Sequence, residues 1–293
     1  MRLRLPSLLL LSGLLGCSST KPPAPSPPAL LRAERLASQA AKLTEQENWP
    51  AAAQAWQRAS EDYALLNDRA REAVALHNLA QAEHHVGQTT EAHAHVSEAA
   101  RLNQMIGQTN EWWRNQIVLL QLEADSSQSN TADRRFLALL PLAGSFPDAN
   151  VRGLFLNELG LWRLRHGEWM EAEAAFNEAA AVFVRIGERN SAATATANLA
   201  RLREKQNQPE AAVELWRKAL DEFEKLGDPH GIADALFGLG RSLTAARKDL
   251  SLAEDCLRRA TGNYRVLSRA QDQQQVLKAL AECLRARGKS TDP

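Results

Sequence analysis

Small residues recur every 40 positions along this chain, the kind of fixed period that marks a stack of similar supersecondary units. Ala40, Ala80, Gly160, Ala200 and Gly240 fall on the period. Twelve residues later come Ala52, Ala92, Ala172 and Ala212, with Ala253 displaced by one inserted residue. Four further on sits a large apolar side chain, Trp56, Val96, Phe176, Trp216 or Leu257, and three beyond that Ala59, Ala99, Ala179, Ala219 or Ala260. The spacing fits a helix A, a tight turn and a helix B. Small residues lie where the two helices cross closely, and the bulky residue fills the gap between neighbouring units.

Composition agrees with an all-α chain. Ala, Leu, Glu, Gln and Arg are abundant, Tyr occurs twice, and runs of β-branched residues are few. The 44% hydrophobic content suffices to bury a core. Lys and Arg number 35 and Asp and Glu 35, interspersed, so the basic footprint that nucleic-acid binding requires is missing and no nucleic-acid partner is expected. A second marker fixes the end of each helix B. An apolar residue followed by one that tolerates positive φ recurs at Leu66-Asn67, Ile106-Gly107, Ile186-Gly187 and Leu226-Gly227, reading as C-terminal caps. Asp228-Pro229 restarts the chain as an N-cap with proline in the first turn, and Pro50 and Pro209 open B helices.

This pattern resembles the tetratricopeptide repeat. The family's Leu-Gly/Ala pairs stand here as Leu79-Ala80, Leu159-Gly160, Leu199-Ala200 and Leu239-Gly240, and its turn glycine as Gly87, Gly167 and Gly288, with Asn207 in that place once. The unit is longer than the family's usual length of about 34 residues, as in its longer variants. The resemblance implies a right-handed superhelical solenoid of helix-turn-helix repeats over residues 30–288, with six units and a C-terminal capping helix carrying Leu280-Ala281. The third unit, about 109–147, departs from the rule: Leu120 replaces a small residue, Pro141 falls inside helix B, and Asp125-Ser126-Ser127-Gln128-Ser129-Asn130 crosses its turn. It reads as a degenerate unit that bends or splits the solenoid; a boundary between two domains is the other reading.

The N-terminus reads as an address. Arg2 and Arg4 precede an apolar stretch from Leu5 to Leu15, shorter than the roughly 20 residues that span a bilayer, so residues 1–16 read as a signal peptide. Leu14-Leu15-Gly16-Cys17 resembles the bacterial lipoprotein box, which implies cleavage before Cys17 and acyl chains on its sulfur and amine. An ordinary secretory signal or an uncleaved apolar anchor is the alternative. Ser18 stands where Asp would resemble an inner-membrane retention signal, which favours the outer membrane, facing the periplasm. Residues 17–29, rich in proline, form a tether extending about 3.1 Å per residue, and 289–293 a disordered tail.

No Ser/His/Asp set, phosphate loop or paired carboxylate motif stands out, so catalysis is not expected, nor a small-molecule substrate or a cofactor beyond lipid on Cys17. His77, His84, His85, His93 and His95 cluster in one unit. His77 and His84 are two helical turns, roughly 10 Å, apart, too far to share an ion, so no metal is expected and the cluster reads as a titratable polar surface. Cys256 and Cys283 are a possible disulfide in an oxidising compartment, or two separately packed thiols. Of Trp112 and Trp113, adjacent on one helix, one can pack inward while the other leans out.

In the resembled family the A helices line a concave groove. The frame places there His77, Asn78, Gln81, His84 and His85, then Arg114, Ile117 and Gln121, Asn157, Leu161, Leu164 and Arg165, Asn198, Arg201 and Lys205, and finally Phe237 and Arg241. The resemblance gives Asn78 and Asn198 the part of holding a peptide backbone. His77 and Gln81 replace the Lys and Asn of the family's carboxylate clamp, so binding of a chaperone tail is not implied. The reading is a lipid-anchored scaffold or assembly adaptor for a protein or peptide partner in the cell envelope, with a regulator of a cell-wall enzyme as the alternative. A Cys17→Ser variant is expected to lose labelled palmitate and to leave the membrane fraction; continued sedimentation with membranes would instead mean an uncleaved anchor.

Overall fold

The computed structural model describes residues 27–125, 129–146, 148–267 and 269–288. The signal peptide, Cys17, most of the tether and the tail 289–293 lie outside the described residues. Thirteen α-helices follow in order: α1 Pro28–Glu45, α2 Trp49–Leu65, α3 Arg69–His85, α4 Thr89–Met105, α5 Thr109–Asp125, α6 Ser129–Leu139, α7 Ala149–Arg165, α8 Trp169–Ile186, α9 Arg189–Lys205, α10 Pro209–Leu226, α11 Pro229–Ala245, α12 Leu250–Val266 and α13 Ala270–Ala286. The odd-numbered helices through α11 are A helices and the even-numbered ones B helices, making six pairs with α13 alone at the end. Among the described residues there is no strand, and no helix is long and apolar enough to cross a membrane.

The caps are where the sequence marks them. Asn67, Gly107, Gly187 and Gly227 have φ of 54°, 72°, 80° and 69°, and the turn residues Gly87, Gly167 and Asn207 have 84°, 75° and 56°. Asp228 accepts from the backbone N–H groups of His230 and Gly231 at 3.0 and 3.1 Å, and Asp148 from Val151 N at 2.7 Å. These bonds satisfy amides that the first helical turn leaves unpaired.

The core is built from the periodic small residues and their bulky partners. Ala52, Ala92, Ala172, Ala212 and Ala253 are fully buried, and Phe176, Trp216 and Leu257 are at most 1% exposed. A Cβ at Gly160 would lie 2.5 Å from Phe176 Cε1, one at Gly240 2.6 Å from Leu257 Cγ, and one at Gly238 would overlap the Trp216 ring. Helices A and B therefore approach so closely that the B-helix side chain rests on bare A-helix backbone.

The third unit reaches the same density differently. Trp113 occupies the position held elsewhere by Ala33, Ala73, Gly153, Ala193 and Ala233, and Leu120 the position of Ala40 and its equivalents; both are buried. Room for them comes from α6, which ends at Leu139 where Leu140–Ser145 tightens into a 3-10 turn containing Pro141. Phe146 then folds in, 4.8 Å from Trp113 and 5.2 Å from Phe155 between ring centres, and Trp162 stacks on Phe136 at 5.3 Å. Trp113 is the inward member of its pair and Trp112 is half-buried against the same cluster. Helix α5 packs directly on both α4 and α7, so the helix stack runs on through the irregular unit.

Gly238→Ala tests the close approach. On an open helix Ala is favoured by about 1 kcal/mol, yet here it is expected to destabilise by roughly 1–3 kcal/mol through overpacking against Trp216. A lowered thermal midpoint is predicted, and a raised one would show that the two helices have room between them.

Candidate functional site

Consecutive A helices are joined along one face by side-chain bonds that each reach from one unit to the next. Glu34 on α1 lies 3.6 Å from Arg71 on α3. His77 bonds to Asn115 of α5 at 2.6 Å, Gln121 donates to Glu158 of α7 at 3.0 Å, and Asn198 of α9 donates to Asn157 at 2.8 Å. Arg241 on α11 pairs with Glu204 of α9, and Arg269, just before α13, pairs with Asp234 of α11 at 2.9 Å. Most residues expected to contact a partner lie on this face, and several are already spent as staples between units.

Asn198 is the clearest correction. It is 1% exposed, its amide donates to Asn157 Oδ1 and its own oxygen accepts from Arg201 at 2.8 Å, so the side chain is buried between units rather than presented to a peptide backbone. Asn78 is half-buried with no hydrogen-bond partner among the described residues. His77 donates through Nδ1 to Asn115 Oδ1 and accepts at Nε2 from Gln81 at 3.2 Å, a pairing that only the neutral Nδ1–H tautomer satisfies. Burial holds its pKa below the ordinary histidine value, outweighing the opposing hydrogen bond. Arg114 lies 3.7 Å from Glu111, Ile117 is buried, Leu161 packs half-buried on the core around Phe176, and Arg165 and Lys205 are exposed.

The histidine cluster separates into distinct pairings. His93 meets Glu123 at 3.1 Å and His95 meets Glu83 at 2.7 Å, both carboxylates being buried, while His84 lies 6.2 Å from His85 between ring centres. His85 stacks flat on Trp49 at 3.8 Å. Its pKa is lowered by burial and then by neighbouring His84 and His230. No three His, Cys, Asp or Glu side chains among the described residues are grouped as for a metal ion. His230, at the start of α11, also reaches Glu47 in the first turn of the chain at 3.2 Å, so the solenoid winds far enough to bring its first unit against its sixth.

Arg201 and Arg241, which the frame places on the groove, belong to a charge network. Arg201 sits 3.6 Å from Asp234, Arg241 pairs with Glu204, and Arg269 pairs with Asp234 and with Asp272. Lys205 has no ion-pair partner among the described residues. Arg201, Arg241 and Arg269 lie over the rings of Trp216, Phe237 and Tyr264 at 5.6, 5.1 and 4.9 Å. Together these groups line a cavity of about 310 Å³ between α9, α11 and α13. Tyr264, Arg269, Asp272 and Gln275 were not among the residues chosen by the frame. The available signal is Arg269, which stands where the other units carry Asp68, Gln108, Asp148, Glu188 and Asp228.

Cys256 and Cys283 are buried free thiols in one core cluster, so the possible disulfide is not formed here. Cys283 Sγ donates to the Leu250 carbonyl at 3.5 Å, and burial pushes the Cys256 pKa up to about 11.

Residues 152–225 match the model of the tetratricopeptide repeat, and no curated protein matches the chain. Among solved structures, the apo quorum sensor NprR from B. thuringiensis is 16% identical over 89% of this chain and 73% of its own, with a TM-score of 0.69. A Rap protein complexed with Competence and Sporulation Factor is 18% identical over 88% and 76%, with a TM-score of 0.64. The Rap conjugation gene regulator of plasmid pLS20, in complex with the Phr* peptide, is 15% identical over 89% and 74%, with a TM-score of 0.61. These likenesses establish the helical repeat fold.

The lowered values of His77 and His85 set a pH dependence. The unfolded chain takes up these protons first, near pH 6.5, so stability is full above that value and falls as pH drops through the lowered folded values. The melting temperature is expected to decrease between about pH 7.5 and 5, and His77→Asn, which keeps a donor toward Asn115, should shrink that decrease. An unchanged slope in the variant would mean that His77 is not a buried neutral group.

Proposed function

We propose that this chain, a tetratricopeptide-repeat protein, is a non-catalytic scaffold that holds a peptide or protein partner on the inner face of its C-terminal half, tethered to the bacterial envelope through lipid on Cys17. The observation that carries the reading is the lining of the cavity between α9, α11 and α13: three arginines held in place by rings and carboxylates, with Lys205 exposed beside them. Side chains fixed before binding lose little entropy on contact with a ligand. The Rap and NprR structures named above support a binding role for the fold, since one Rap protein is seen with Competence and Sporulation Factor and another with the Phr* peptide. Anchorage rests on the lipoprotein-like Leu14-Leu15-Gly16-Cys17, and the outer membrane on Ser18. Nucleic acid is outside this reading, given the balanced and interspersed charge.

Photo-crosslinking from the membrane-bound chain tests it. A photoreactive side chain at position 205, on the inner face, is expected to capture a discrete partner, and one at position 58, on the exposed side of α2, is expected to capture none. Lys205→Glu should reduce partner recovery at least tenfold. Equal capture from both positions would contradict the reading, and a peptidoglycan enzyme as the sole captured protein would replace the adaptor role with that of a regulator.

A further inference from the structure

We infer that the cavity between α9, α11 and α13 is a carboxylate-binding site, taking an acidic group of an extended peptide. The inference rests on the inner face being the binding surface, and it specifies what that surface recognises.

The case is an imbalance between donors and acceptors. Asp234 accepts from Tyr264 Oη at 2.6 Å and from Arg269 Nη1 at 2.9 Å. Glu204 accepts from Trp216 Nε1 at 3.1 Å, from Ser242 Oγ at 2.7 Å and from Arg241. Asp272 accepts from Arg269 Nε at 2.7 Å. Neutral donors thus take up part of the acceptor capacity of these carboxylates, leaving fewer lone pairs for the arginine N–H groups. Each guanidinium carries five N–H groups. Arg241 uses Nη2 alone, Arg201 gives Nη1 to Asn198 with Nη2 toward Asp234, and Arg269 keeps Nη2, so N–H groups remain around the cavity.

Formal charge points the same way. Four cations, Arg201, Lys205, Arg241 and Arg269, face three anions, Glu204, Asp234 and Asp272, leaving a surplus of one positive charge. A ligand that completes the site brings acceptors and one negative charge. A planar carboxylate fits the fork of an arginine, and the stacking of each guanidinium on an aromatic ring fixes the fork in advance. At about 310 Å³ the cavity is at the small end of ligand pockets, and Leu164 and Phe237 offer apolar contact for the rest of the bound residue.

The test uses the full chain in detergent and a mixed-sequence hexapeptide library in three forms: free C-terminal acids without Asp or Glu, the same set amidated, and an amidated set with one Glu. Retained peptides are identified by mass spectrometry, and their affinities are measured by fluorescence polarisation. One or both carboxylate-bearing sets are expected to be retained and the amidated acid-free set is not, which also separates a terminal from a side-chain source. Lys205→Ala, an exposed change expected to leave the melting curve in place, should weaken binding at least tenfold, and Arg241→Gln by a similar factor. Retention of the amidated acid-free set with unchanged binding by Lys205→Ala would overturn the carboxylate site while leaving the groove reading intact. Failure to retain any peptide would overturn both. Displacement of retained peptides by peptide-free acetate fits the proposal, whereas binding of inorganic phosphate alone, with no peptide retained, overturns a peptide as the ligand.

Discussion

The closeness of helices A and B within each pair is the constraint on which the rest of the structure depends. At Gly160 and Gly240 the A helix presents bare backbone to Phe176 and Leu257 of its own pair, at Gly238 to Trp216 of the preceding B helix, and in other units the buried A-helix alanines Ala40, Ala80 and Ala200 stand in the glycine position. A stack built in this way has one core per interface and no single centre, so its stability is a sum of neighbour contacts. Repetition of that spacing also places successive A helices side by side, near enough for side chains to bridge them.

Those bridges change the meaning of the inner face. A polar residue on the inner face can turn to the adjacent A helix or to a ligand. His77, Gln121, Asn157 and Asn198 take the first. From Arg201 onward the balance shifts, because acids on α9 and α11 are shared with Trp216, Ser242 and Tyr264, and the cations keep donors to spare. Structure and binding are therefore carried by different stretches of one continuous surface, with the aromatic third unit between its histidine-bearing and arginine-bearing parts. The contact between Glu47 and His230 wraps the first unit against the sixth.

The helix pairs, their caps and the irregular third unit were legible in the sequence, because each depends on residues within one 40-residue frame. Pro141 and Leu120 announced the irregularity, although the way Phe146 fills the space beside Trp113 depends on a loop that periodicity does not describe. Pairings between units were not legible. Asn198 looks like a free amide until Asn157 is brought beside it, and Arg241 looks like an unopposed cation until Glu204 is. Tyr264 on a B helix and Arg269 ahead of α13 lie outside the A-helix positions that the frame assigns to the groove, and only the fold brings them to it.

Hydrogen exchange of the full chain with and without a bound acidic peptide measures the central claim most directly. Slowed exchange is predicted in α9 and α11, which carry Arg201, Lys205 and Arg241, and at the start of α13 beside Arg269, with the B helices unchanged. Protection on the B helices instead, or at the exposed Trp169 and Met170 at the start of α8, would place the partner on another face and contradict the account.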